Sequence, residues 1–275
     1  MIRNRIPALL GLVLWSFGLT VVAPAIAGNR LDEFVRLDVL DGGVTERGTH
    51  QAALRLTLAD GWKTYWRAPG DAGIPPQFDW GRSRNVEAVT LSWPTPKVFD
   101  QNGLRSIGYK HQLVLPVEIT PSRPGLPVRL KGEIELGLCK DICVPARLSF
   151  DQTLDQDADR NPAIVAALAE RPYSASEAGV RAATCRLSPS EGGGMRIEAE
   201  ITMPSAGGTE VAVIEPGNLL LWASETKTRR RGNVLTATSE VTHGSGSGFA
   251  LDRSLVRITV LGQRHAVDIH GCSPG

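Results

Sequence analysis

The sequence predicts an all-β protein: two antiparallel β-sandwich domains joined by a short helical linker. Three observations predict it. Val, Ile, Leu and Thr recur in short alternating runs, the period of a strand with one buried face. Turn residues punctuate those runs, with 29 glycines and 18 prolines in 275 residues, and such residues break chains into short elements. Helical periodicity is scarce, and only one stretch carries both a helix start and a helix stop.

Residues 1–27 read as a secretory signal peptide. Arg3 and Arg5 give a basic start, an apolar run extends from Ile6 through Val22, and Ala25-Ile26-Ala27 is a small-residue cleavage site. A retained membrane anchor is the competing reading. The run is slightly short for a span and ends at Pro24, which favours cleavage. Cleavage removes two arginines and no acid, moving the formal net charge from +1 to −1. A near-neutral exported chain gives no case for a nucleic-acid partner. No later segment is apolar enough to cross a bilayer. The mature chain is expected to be soluble and exported.

Residues 30–155 form the first expected domain. Strands are expected at 34–40, 51–58, 63–66, 86–92, 113–119, 128–136 and 146–154. Gly42-Gly43, Asp60-Gly61, Pro69-Gly70, Pro75-Pro76 and Pro124-Gly125 are read as turns between them. Seven short strands with frequent turn signals argue for an antiparallel sandwich. Residues 156–172 are the linker: an acidic, polar stretch around Asp155–Asp159, then Asn161-Pro162 opening a helix over 163–170 that stops before Pro172. Residues 173–275 are the second domain, with strands expected at 182–187, 195–201, 210–214, 219–223, 234–241, 255–261 and 265–269. The basic run 227–231 is read as a solvated hairpin tip, a site for an acidic partner being the weaker option.

Chemistry concentrates in Leu138-Cys139-Lys140-Asp141-Ile142-Cys143-Val144-Pro145, which holds two of only four cysteines. Three uses compete. A structural disulfide here closes a very small loop and removes little chain entropy. A metal half-site is compatible with the spacing, with His270 and Cys272, or Cys185, supplying the other half. A redox dithiol exchanges disulfides through a thiolate, governed by thiolate fraction and access. Lys140 favours a thiolate and Asp141 opposes it. Cys185 lies in the first strand of the second domain and Cys272 just past its last. A structural bond between them would tie the domain ends together and contribute about 4–5 kcal/mol in the chain-entropy model. It would also withdraw Cys272 from any metal site. The five histidines are scattered, and His265 and His270 should leave opposite faces of a regular strand. No Gly-rich phosphate loop or Gly-x-Ser-x-Gly elbow is present. No cofactor and no metal site are expected.

An ordered set of motifs carries a family resemblance. It runs through Asp60-Gly61-Trp62-Lys63-Thr64-Tyr65-Trp66-Arg67-Ala68-Pro69-Gly70, Ser92-Trp93-Pro94-Thr95-Pro96, Ile107-Gly108-Tyr109 and Cys139-Lys140-Asp141-Ile142-Cys143-Val144-Pro145. From about residue 34 to 150 the chain resembles the N-terminal periplasmic domain of the thiol:disulfide interchange protein DsbD, and more closely its ScsB-like, copper-sensitivity-suppressor relatives. The resemblance implies an immunoglobulin-like sandwich with the dithiol at one end. Cys143 takes the place of the cysteine that forms the mixed disulfide with partners, and Cys139 that of its resolving mate. Phe99 matches an aromatic cap over the pair, and Tyr65, Trp62 and Tyr109 match flanking aromatic positions. Simple core packing is the alternative for Tyr65, Trp62 and Phe99. The implied partners are thioredoxin-like periplasmic proteins. Full-length family members continue into a membrane electron carrier and a thioredoxin-like domain. This chain has neither before Gly275, so the expectation is that it works with a separate membrane electron-transfer protein, or that it has lost the relay and only binds. The runner-up is a periplasmic copper-binding or adaptor module using the same sulfurs as soft ligands.

Overall fold

The structure is a computed structural model that describes residues 30–275 except 72, 102, 191 and 192. The expected signal peptide lies outside the described residues. After a 3-10 turn at Arg30–Glu33, ten strands build the first unit. They are β1 (Val35–Val44), β2 (His50–Leu58), β3 (Lys63–Tyr65), β4 (Gln77–Asp79), β5 (Ala88–Leu91), β6 (Lys97–Gln101), β7 (Leu104–Lys110), β8 (Gln112–Thr120), β9 (Arg129–Cys139) and β10 (Cys143–Thr153). One sheet has the order β1-β2-β8-β5. The other has the order β10-β9-β3-β7-β6, with β4 also pairing β9. Every pairing in this unit is antiparallel.

Alternation explains why the two sheets face each other. On β9, Leu130, Ile134, Leu136 and Leu138 are buried, while Glu133 and Glu135 point away. On β2, Ala52, Leu54, Leu56 and Leu58 do the same. Gly42-Gly43 is not a turn. β1 runs through it with a register shift between Asp41 and Val44. Gly43 supplies a φ of +73° there, and its N–H is taken by Asp41 Oδ1 at 3.1 Å, so the glycines make a bulge and not a reversal. β4, β6 and β7 were not expected as strands. β7 contains Gly108, where a Cβ would fall 2.0 Å from the Thr64 carbonyl oxygen. The glycine that reads as a breaker is what lets β7 close on β3.

The helix α1 (Pro162–Ala169) is capped by Asn161, whose side chain accepts from Ala163 N at 3.0 Å. It buries Ile164 and Ala167. The second unit has β11 (Tyr173–Ser174), β12 (Ala182–Pro189), β13 (Met195–Thr202), β14 (Val211–Glu215), β15 (Leu221–Ala223), β16 (Lys227–Arg231), β17 (Val234–His243), β18 (Arg257–Leu261), β19 (Ala266–His270) and β20 (Ser273–Pro274). Its sheets are β11-β19-β18-β14 and β15-β17-β13-β12-β20, with β16 on β17. The chain is thus two immunoglobulin-like antiparallel sandwiches joined by a short helical linker. Only the two-residue strands β11 and β20 pair parallel. The basic run 227–231 corrects the expectation of a hairpin tip: it is a strand paired with β17. Its alternate residue Arg230 turns inward, ion-paired with the buried Glu210. The turn lies beyond it, at Gly232-Asn233.

The two units meet along a mixed seam. Leu261 and Ala266 pack into the same buried cluster as Trp66, Ile107 and Leu138 of the first unit. Arg67, next to Trp66, donates to both Glu215 carboxylate oxygens at 3.0 Å and to Thr259 Oγ1 at 3.1 Å. Its guanidinium lies 3.9 Å from the Trp66 ring. Arg105 pairs with Glu225 at 2.9 Å.

Candidate functional site

β9 and β10 are each eleven residues long and pair throughout, from Thr153↔Arg129 to Cys143↔Cys139. The cysteines are therefore the last pair of the longest ladder in the first unit. The loop between them is Lys140-Asp141-Ile142, closed by Lys140 N donating to Ile142 O at 3.0 Å. A disulfide joins Cys139 to Cys143, with their Cα atoms 4.1 Å apart. The two halves are unequal. Cys139 is 5% exposed and Cys143 is open to solvent. Of the two sulfurs, the one in Cys143 is the more open to attack from outside.

Odd-numbered residues at the end of β9 leave the outer face of their sheet, away from the core. Register across four strands sets one row on that face: Cys143, Cys139, Lys63 and Lys110. Tyr65 lies two residues further along β3. It is 2% exposed, and its hydroxyl sits 3.4 Å from Cys143 Sγ. The disulfide sulfur has no hydrogen, so the phenol is the donor. Burial raises the Tyr65 pKa and keeps that proton in place. The ring fits because Gly137 lies beneath it: a Cβ there would be 2.8 Å from Tyr65 Cε2 and 2.9 Å from Ile74 Cβ.

Phe99 is half-buried on β6, opposite Ser106 of β7. Two ammonium groups approach its ring, Lys63 Nζ at 5.3 Å and Lys110 Nζ at 4.8 Å from the centroid. Lys63 is itself buried and donates to Ser106 Oγ at 3.2 Å. Burial, and then the like charge of Lys110, lower its pKa from the ordinary lysine value. Lys140 is turned back from the sulfurs, its Nζ donating to Asp60 O at 3.2 Å. Asp141 and Ile142 are exposed.

The expected aromatic set divides in two. Tyr65 and Phe99 share the outer face with the dithiol. Trp62, just before β3, and Tyr109, on β7, face inward to the core instead. Trp62 stacks on Phe34 at 4.4 Å against the core. The Tyr109 hydroxyl donates to Pro94 O at 2.8 Å, and burial holds its pKa well above the usual tyrosine value. Lys63 and Lys110 were not singled out in the sequence. Only the register that brings four strands into one row reveals them, and no local motif encodes that.

In the second unit Cys185 and Cys272 form a disulfide with Cα atoms 5.7 Å apart. Both sulfurs are thereby engaged, which removes them from the metal half-site considered with His270. His270 instead lies 3.3 Å from Asp268 Oδ2, and His265 stacks on Tyr173. Among the described residues no helix is long and apolar enough to cross a membrane.

The family model described as the thiol:disulfide interchange protein DsbD, N-terminal, matches residues 38–155. Among solved structures, the chain is similar to the N-terminal periplasmic domain of ScsB from Proteus mirabilis. The identity is 20% and the TM-score 0.67, over 88% of this chain and 95% of that one. It also matches the reduced Neisseria meningitidis DsbD N-terminal domain at 23% identity and a TM-score of 0.26, over 44% of this chain and 86% of that one. The first of these extends the likeness in fold across both units. No curated protein matches the chain.

Proposed function

Residues 38–155 being a DsbD N-terminal-like domain, we propose that the chain is a periplasmic thiol:disulfide interchange module that relays electrons through Cys139 and Cys143. Residues 30–155 are the redox domain and 173–275 the second domain, joined by the linker at 156–172. The partners are thioredoxin-like periplasmic proteins and a separate membrane electron-transfer protein. The observation that carries the reading is the unequal exposure of the two sulfurs at the tip of a long, rigid hairpin. One sulfur is presented for attack and the other is held ready beside it. A purely structural bond needs no such asymmetry, and this one closes too small a loop to stabilise much.

The relay has two half-reactions. A partner thiolate attacks Cys143 Sγ, the bond to Cys139 breaks, and a mixed disulfide forms at Cys143 while Cys139 leaves as a thiolate. The partner's second thiolate then attacks the partner sulfur of that mixed disulfide and frees Cys143. Run in reverse, the reduced pair passes two electrons to an oxidised protein. Tyr65 is placed to donate its hydroxyl hydrogen toward Cys143 Sγ at the start of the first step.

Trapping tests this directly. Cys139→Ala leaves Cys143 with no resolving neighbour, so a mixed disulfide with thioredoxin-like proteins should accumulate in whole cells and disappear in the Cys139→Ala/Cys143→Ala double variant. A folded Cys139→Ala protein that captures none of them sinks the relay. The cap is tested separately. Phe99→Ala should speed reaction of the reduced pair with a small alkylating reagent several-fold, by opening access. Unchanged labelling removes Phe99 from the site.

A further inference from the structure

Lys63 is the one cation in the dithiol's row that is buried, at 3% exposure. Its backbone stands directly opposite Cys139 in the β3–β9 ladder, so both side chains leave the same face. Cβ atoms of such neighbours lie about 4.5–5.5 Å apart, and the flexible four-carbon lysine stem spans that gap. With the disulfide closed, the ammonium points elsewhere, to Ser106 Oγ and the Phe99 ring.

Opening the disulfide changes what this neighbourhood must hold. The broken bond leaves its electron pair on Cys139 Sγ, in a residue only 5% exposed. An anion there has little water to solvate it, and burial alone raises a thiol's pKa. Other charged groups near the pair fit this need less well. Lys140 is turned back onto Asp60 O, Asp141 and Asp60 are acidic and exposed, Asp100 follows Phe99 on β6, and Lys110 is one strand further away. Tyr65 is committed to Cys143.

We infer that Lys63 is the charge partner of the Cys139 thiolate: as the disulfide opens, its ammonium leaves Ser106 and Phe99 and pairs with the newly formed anion. The same movement removes one of the two cations that hold the Phe99 ring, so thiolate stabilisation and uncapping are one event. The like charge of Lys110 and the burial that lower the Lys63 pKa both favour an anion arriving beside it. The inference rests on the thiol:disulfide reading of this site, but it is tested on the sulfur alone.

The test uses the full chain with Cys143→Ala, which leaves Cys139 as the only free thiol beside an intact Cys185–Cys272 bond. Its thiolate is titrated by ultraviolet absorbance and by the pH dependence of alkylation. Lys63→Met should raise the Cys139 pKa by about one unit or more, a tenfold lower thiolate fraction at fixed pH below that pKa. Lys63→Arg should restore most of it, and Lys110→Met should move it less. Ser106→Ala keeps the lysine, removes one acceptor that holds it away from the sulfur and should lower the pKa. Equal titrations with and without the Lys63 ammonium, or an unchanged or raised value in Ser106→Ala, would overturn the inference. Should the Lys63→Met protein not fold, the Ser106→Ala result decides. A failed trap with these shifts intact sinks the relay and leaves the charge pair standing.

Discussion

Removing the Cys185–Cys272 bond by a double alanine substitution is expected to destabilise the second unit by about 4–5 kcal/mol in the chain-entropy model. The bond spans 87 positions in sequence, nearly the whole unit. It fixes the start of that unit, on β12, to the segment after β19. Beyond the bond, that segment is held by a few backbone hydrogen bonds, among them Gly271 N to Val256 O and Cys272 N to Arg253 O, and by β20, which is two residues long and pairs parallel with β12. Cys185 is fully buried in the core of this unit, so alanine there loses packing as well. Against a typical net stability of about 5–15 kcal/mol for a domain, a loss this size leaves the unit close to unfolding. Urea denaturation followed by tryptophan fluorescence measures it, with Trp222 as the reporter in this unit. A midpoint that barely moves would mean the sheets alone hold the ends together.

Trp66→Ala should cost the first unit about 3–5 kcal/mol. The side chain is completely buried between the sheets, and Arg67 lies against its ring on the way to Glu215. Losing the indole therefore opens a cavity in one unit and takes away the platform under the strongest polar link to the other. Trp66→Phe separates the two contributions. The indole N–H is buried and has no acceptor among the described residues, so deleting it leaves no group unsatisfied. The phenyl variant should retain most of the stability that alanine loses. Equal losses from both variants would show that indole size, and not a filled core, is what the seam needs.

The strands with clean alternation were legible in the sequence. The expected run 128–136 coincides with β9 from residue 129 on, and 51–58 lies within β2, because one face of each is apolar and the other polar. What failed did so for identifiable reasons. β6 and β7 hide behind Pro94, Pro96 and Gly108, residues that signal turns in isolation but here suit an edge strand and a close backbone approach. Gly42-Gly43 looked like a reversal and is a bulge. The basic run 227–231 looked solvated because its charges suggest a tip, yet Arg230 finds Glu210 across the fold, and no local pattern shows that partner. The site was legible at the cysteines, whose spacing is local. Its electrostatics were not. Lys63 meets Cys139 only through pairing between residues 76 positions apart, and sequence gives the face of a strand long before it gives its neighbours.

The reactive bond closes a ladder that eleven cross-strand pairs already hold. Opening it frees the three loop residues and the side chains beside the sulfurs, and leaves the backbone ladder paired. Oxidised and reduced molecules should then melt at nearly the same temperature, with no refolding step inserted into each turnover. In the proposed relay, the frame that carries the pair keeps one form through both oxidation states.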